Sequence, residues 1–158
     1  MAIVAALIPA PVLAKDSLGV FDDWATFRDP APSRCYAIAR SKSDASLGKF
    51  KPFASIGNWP GRNVRGQVHF RLSREIDSAR PISLIIGEKT FVMTGGGANV
   101  WGRDKKMDAA IVAAMRSASR MNVRATDSNG RRFANAFSLK GAATAIDAAS
   151  VGCARIRR

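Results

Sequence analysis

The sequence predicts an α+β domain. A mostly antiparallel, β-sandwich-like sheet carries one amphipathic helix at about 104–120 and a short C-terminal helix at about 142–151. Three observations predict it. "VRGQVHFRLS" alternates apolar and polar residues with period two, as a half-buried strand does. "RATDSNGRRFANAF" places Asn129-Gly130, the preferred pair of a tight hairpin turn, between two strand-like runs. "RDKKMDAAIVAAMRSAS" puts Met107, Ile111, Ala114, Met115 and Ala118 on one helical stripe. The order is strands, helix, hairpin, helix. It lacks the strand–helix alternation of a parallel doubly wound sheet.

The elements follow in chain order. Met1 to Ala14 is uncharged and apolar, broken by Pro9 and Pro11, and ends in Leu13-Ala14 before Lys15. That is the layout of a secretory signal cleaved after Ala14, although no Lys or Arg precedes its apolar core. Residues 15–154 then form one globular domain, and 155–158 a basic tail. "LGVFDDWATF" predicts an opening strand with Trp24 toward the core, and "RDPAPSR" a loop. "CYAIA" (Cys35 to Ala39) predicts a strand, and residues 40–63 a long connection with aromatic islands at Phe50, Phe53 and Trp59.

In the alternating strand, Val64, Gly66, Val68, Phe70 and Leu72 take one side, and Arg65, Gln67, His69, Arg71 and Ser73 the other. "PISLIIG" is apolar on both faces and predicts a central strand. Gly87-Glu88-Lys89 turns it into "TFVMT", and Gly95 to Asn99 forms a flexible loop leading to the helix, with Asp104 as N-cap. In the last helix Ala142, Ile146, Ala149 and Cys153 share one face, and Gly152 suits a helix stop.

The chain has 158 residues, enough for one domain with a substantial core. Its net charge of +13 is the outlying quantity: 25 Lys and Arg against 12 Asp and Glu. Such an excess attracts anionic partners, an envelope component or an acidic protein, without specifying which. Export disfavours nucleic acid, and no segment is long and apolar enough to span a bilayer.

An exported chain with two cysteines points to a Cys35–Cys153 disulfide. Two free thiols and a metal site are the alternatives, and two cysteines without a His or acidic cluster make a poor zinc site.

The sole histidine, His69, has no nucleophile motif around any serine, and Ser73 is a weak partner. "TGGGAN" lacks the Lys-Ser/Thr of a phosphate-cradling loop. Asp22-Asp23 read as adjacent strand positions pointing apart, and Asp104 and Asp108 as helix N-terminal acids. No catalytic residue, metal ligand or cofactor is expected. The candidate site is an anion-binding face of Arg62, Arg65, His69, Arg71 and Arg74, with Trp59 and the 40–63 segment adding aromatic contacts; the alternative is a solvated basic surface without a ligand.

"DDWATF", "RCYAIA", "VRGQVHFRLSR", "MDAAIVAAMRSAS" and "FSLKGAATAIDAASVGC" come in an order that resembles the invasion-associated locus B family of exported proteins from Gram-negative bacteria. The resemblance spans roughly Val20 to Cys153 and is most specific at the C-terminal end. It implies a periplasmic or surface location and supplies no catalytic residues. Members often carry a further cysteine shortly after the leading Trp; Phe27 and Arg28 stand there in this chain, so no second disulfide is expected. The resulting expectation is an exported, noncatalytic envelope protein that binds an anionic component. The alternatives are a periplasmic hydrolase built around His69 and a structural subunit of an envelope complex.

Overall fold

The structure, a computed structural model, describes residues 15–43 and 48–154. The leader, Asp44 and the basic tail lie outside them. Ten antiparallel strands form one sheet: β1 (Asp16–Phe21), β2 (Trp24–Pro30), β3 (Ser33–Arg40), β4 (Phe53–Trp59), β5 (Val64–Arg71), β6 (Ile82–Ile86), β7 (Lys89–Gly96), β8 (Asn99–Trp101), β9 (Arg120–Thr126) and β10 (Arg132–Ser138). Helix α1 (Lys105–Met115) follows β8, and α2 (Ala142–Ala154) ends the fold. The spatial order is β1-β2-β3-β4-β5-β8-β7-β6-β9-β10.

The sheet bends until its two halves share one core. Phe70 of β5 meets Phe137 of β10 with ring centroids 5.6 Å apart. Trp24, 1% exposed on β2, donates from Nε1 to the carbonyl of Ser138 at 2.9 Å. The backbone after β3 closes on the outermost strand: Lys42 N donates to the Ala136 carbonyl at 2.8 Å, and Ala136 N donates to Ser43 Oγ at 2.8 Å. The β10 edge is thereby capped instead of being left as an open pairing template. The α+β, sandwich-like class expected from the sequence is the observed one, with both helices in place. No helix among the described residues is long and apolar enough to cross a membrane.

Several local expectations change. The opening segment is a β1–β2 hairpin, with Asp22 and Asp23 as its turn and Asp22 at φ 50°. "RDPAPSR" is no loop, since Pro30 ends β2 and the chain reverses within two residues into β3. The long 40–63 connection contains a central strand, β4, bracketed by Pro52 and Pro60 just outside it. Its period-two pattern is masked because Ser55, Gly57 and Asn58 are small or polar. "GGGAN" is a hairpin turn between β7 and β8, not a link to the helix. Asp104 does cap α1, accepting from Met107 N at 2.8 Å, but the helix stops at Met115. From Arg120 the chain is strand, with Met121 and Val123 alternating into the core.

The β9–β10 connection is longer than a two-residue turn. Gly130 takes positive φ after a turn closed by Gly130 N to the Asp127 carbonyl, and the Asp127 side chain organises the whole loop. Its Oδ1 accepts from Asn129 N at 3.0 Å and Arg131 N at 2.9 Å, and its Oδ2 from Arg74 at 3.1 Å. These bonds, led by the Arg131 amide, hold the carboxyl below its ordinary range.

Gly152 is not a stop either. Helix α2 runs through it, and a Cβ there would collide with Leu18 Cδ1 at 2.4 Å. Close approach brings Cys153 to Cys35 on β3, and the disulfide forms with a Cα–Cα distance of 5.6 Å. Ala142, Ala145, Ile146, Ala149 and Cys153 are all buried, so the alanine-rich face is the packing face.

Two outcomes follow. Cys35 and Cys153 lie 118 positions apart, and the chain-entropy relation assigns such a loop about 4–5 kcal/mol. Oxidised protein should show no titratable thiol, and Cys153→Ser should lower the urea midpoint strongly; two labelled thiols in native protein would refute the bridge. For Asp127, a folded pKa below the unfolded value of 3.8 stabilises above that value, and the contribution is lost as pH falls through the folded pKa. Asp127→Asn should therefore lower Tm at neutral pH, with the gap to the parent narrowing on acidification below the ordinary carboxylate range.

Candidate functional site

Helix α2 covers one face of β1–β4 and leaves the other uncovered. The covered face carries Trp24, Thr26, Cys35 and Ala37; Thr26 Oγ1 donates to the Ala145 carbonyl of α2 at 3.0 Å. Strand register orders the opposite face into rows. One row runs Val20, Ala25, Ile38, Ser55, His69, Trp101 and Thr94 across seven strands. A second holds Phe27, Tyr36, Gly57 and Gln67, and a third Arg40, Phe53, Arg71 and Asn99. This face is aromatic and cationic, and most of its residues are half-buried or exposed.

Aromatic packing ties the rows together. His69 stacks on Trp101 with centroids 5.2 Å apart and meets Phe53 edge-on at 5.6 Å. Its Nε2 lies 3.0 Å from Asn99 Oδ1. Burial first, and the charges of Arg71 and Arg34 next, push the imidazole below its usual 6.5 against the opposing Asn99 bond. These surroundings favour the neutral imidazole. Arg34 lies 4.4 Å over the Tyr36 ring, and Arg71 4.5 Å over Phe50, geometry in which a cation is held by the ring face.

The five residues expected to form one anion-binding face do not assemble as a set. His69 and Arg71 lie on the open face. A register shift between Gly57 and Trp59, with Gly66 at φ 64° and its amide donating to the buried Asn58 Oδ1 at 2.9 Å, breaks the alternation of β5. Arg65 consequently lines a separate groove of about 500 Å³ between α1 and α2, beside Arg116. Arg62 is exposed in a short 3₁₀ turn, Pro60–Arg62. Arg74 is bound to Asp127 at 3.1 Å. Ser73 does not face solvent with His69 but is buried, its amide donating to Asn135 Oδ1 at 3.0 Å. His69 thus contacts an amide and two aromatic rings, with Ser55 opposite it in the row, and no carboxylate bonds to it among the described residues.

Sequence reasoning missed Arg40 and Lys51, and named Phe53 only as an aromatic island of the 40–63 segment. They surround a groove of about 890 Å³ on the open face, whose apolar lining includes Val20, Ala25, Phe27 and Ile38. The missed signal was the alternation of Phe53, Ser55, Gly57 and Trp59 within the supposed connection.

Most carboxylates elsewhere are consumed. Asp16, Asp22, Asp23, Asp29, Glu75, Asp77, Asp127 and Asp147 each pair with Lys or Arg. Asp104 caps α1, and the buried Asp108 accepts from Val68 N at 3.3 Å, its carboxyl raised by burial. Arg40, Lys51 and Arg71 have no carboxylate partner among the described residues.

Comparison with known proteins agrees with this architecture. Residues 75–150 match the family model described as Invasion associated locus B (IalB) protein. That match spans just under half of the 158-residue chain. No curated protein matches it. Among solved structures it is similar to invasion associated protein B from Bartonella henselae, at 15% identity and a TM-score of 0.60, over 84% of this chain and 95% of that one. The resemblance seen in the sequence therefore stands. The IalB match covers β6 to most of α2, so the open-face residues of β2–β5 lie outside the matched span.

NMR titration should place the His69 midpoint below 6.5. Arg71→Gln should raise it and Asn99→Leu should lower it further; a midpoint at or above the ordinary value would contradict the described surroundings.

Proposed function

We propose that this IalB-type chain is an exported protein of the periplasm or cell surface that works by binding an anionic envelope or host component, without catalysis. The carrying observation is the surplus of cations on the open face. Arg40 and Arg71 flank Phe53 in one cross-strand row, Lys51 stands beside it, and none has a carboxylate partner among the described residues. The net charge of +13 would steer an anion toward the molecule, and unpaired arginines beside an aromatic ring would hold it. The apolar leader-like segment supports export, and the disulfide fits an oxidising compartment. Of the residues expected from the sequence, Arg71 and His69 remain in this site, and Arg40 and Lys51 replace Arg62, Arg65 and Arg74.

Co-sedimentation with vesicles of phosphatidylglycerol and phosphatidylcholine tests the reading. Binding should exceed that to phosphatidylcholine alone, weaken steadily with salt, and fall several-fold in Arg40→Gln/Arg71→Gln. Equal binding to both vesicle types would sink the proposal.

A further inference from the structure

The open-face groove is more than a charged surface. Its floor is the start of the long cross-strand row: Val20, Ala25 and Ile38. Phe27 stands in the row on one side and Phe53 in the row on the other, so small floor residues run between two aromatic rims. Val20 is 72% exposed, the most exposed large apolar side chain among the described residues. The volume of about 890 Å³ falls within the range of small-molecule sites, and such sites pair an apolar lining with a few polar groups.

On one rim Lys15, paired with Asp29, stands over Phe27, while the charged residues that line the groove gather on the Phe53 rim. The two acids there are neutralised: Asp23 by Lys42 at 2.6 Å and Asp22 by Lys140 at 3.1 Å. Arg40 and Lys51 stand on the same rim with no carboxylate partner among the described residues. The groove therefore offers an apolar channel ending at two uncompensated cations. An inorganic anion would leave the channel wet, and a neutral apolar molecule would leave the cations unanswered. A molecule with both parts satisfies both.

We infer that the groove binds an anionic lipid by one acyl chain, with the chain along Val20, Ala25 and Ile38 and the phosphate against Arg40 and Lys51. This deepens the anion-binding reading and rests on it. The occupant is a lipid and not an acidic protein segment, because the channel crosses the strands and offers side chains alone along its length. A peptide added to the sheet would need a free strand edge for its backbone bonds.

The test uses the full chain and three soluble probes, followed by methyl NMR of Val20 and Ile38 and by isothermal titration. Lysophosphatidylglycerol, below its micelle concentration, carries both parts. Glycerol phosphate carries the head alone, and lysophosphatidylcholine the same chain under a zwitterionic head. Lysophosphatidylglycerol should move the Val20 and Ile38 methyls and bind at least tenfold more tightly than either of the others. Ile38→Glu, at a half-buried surface position, should weaken it by about tenfold, the value of roughly two buried methylenes. Arg40→Gln/Lys51→Gln should cost lysophosphatidylglycerol about tenfold and lysophosphatidylcholine, whose phosphate is offset by its choline cation, clearly less.

Equal affinity for glycerol phosphate and lysophosphatidylglycerol, with Ile38→Glu silent, overturns the groove inference and keeps the anion-binding reading. Equal affinity for the two lysolipids overturns the preference for a net anionic head, and that reading with it. A chain that dimerises through this face, becomes monomeric as Ile38→Glu and ignores all three probes overturns the lipid as occupant.

Discussion

The fold depends on one attachment: helix α2 laid across β1–β4 and bolted to β3 through Cys35–Cys153. Its alanine-rich face lets the helix axis come close to the sheet, and Gly152 lets it come closer still over Leu18. The packing seals the Trp24–Ala37 side of the first four strands. Since one helix covers only one side of a sheet, the reverse side of these strands is left to solvent.

Charge is divided along the same line. Carboxylates are spent internally, capping α1, satisfying the Val68 amide and organising the β9–β10 loop. Exposed ion pairs contribute little stability each, so their main effect here is to neutralise acids locally. What remains is a cationic surplus that is not uniform. Arg74 and Arg116 are tied down by Asp127 and Asp147, while Arg40, Lys51 and Arg71 stay available on the aromatic face. The IalB match falls on the other half of the sheet and the helices.

Legibility in the sequence followed the strength of local patterns. The helical stripe of Ile111, Ala114 and Met115, and the buried Phe137 of the last hairpin, are periodic and bulky, and they landed where expected. Strand β4 was hidden because Ser55, Gly57 and Asn58 interrupt the apolar signal, although Asn58 is buried to hold the Gly66 bulge. That bulge was itself illegible. A one-residue register shift moves Arg65 off the face of His69, and nothing local to "VRGQ" announces it. Ser73 read as a surface residue, yet it and Asn135 satisfy one another in the interior across 62 positions.

By itself the sequence determined the class, the two helices, the cysteine pair available for bridging and the excess of positive charge. Each of these is set by composition or by periodicity within a short window. Only the tertiary structure decided which cations stand together and which are neutralised. Pairing across strands and bonding between residues tens of positions apart are three-dimensional quantities. Arg40, Phe53 and Arg71 become neighbours solely because β3, β4 and β5 align in that register.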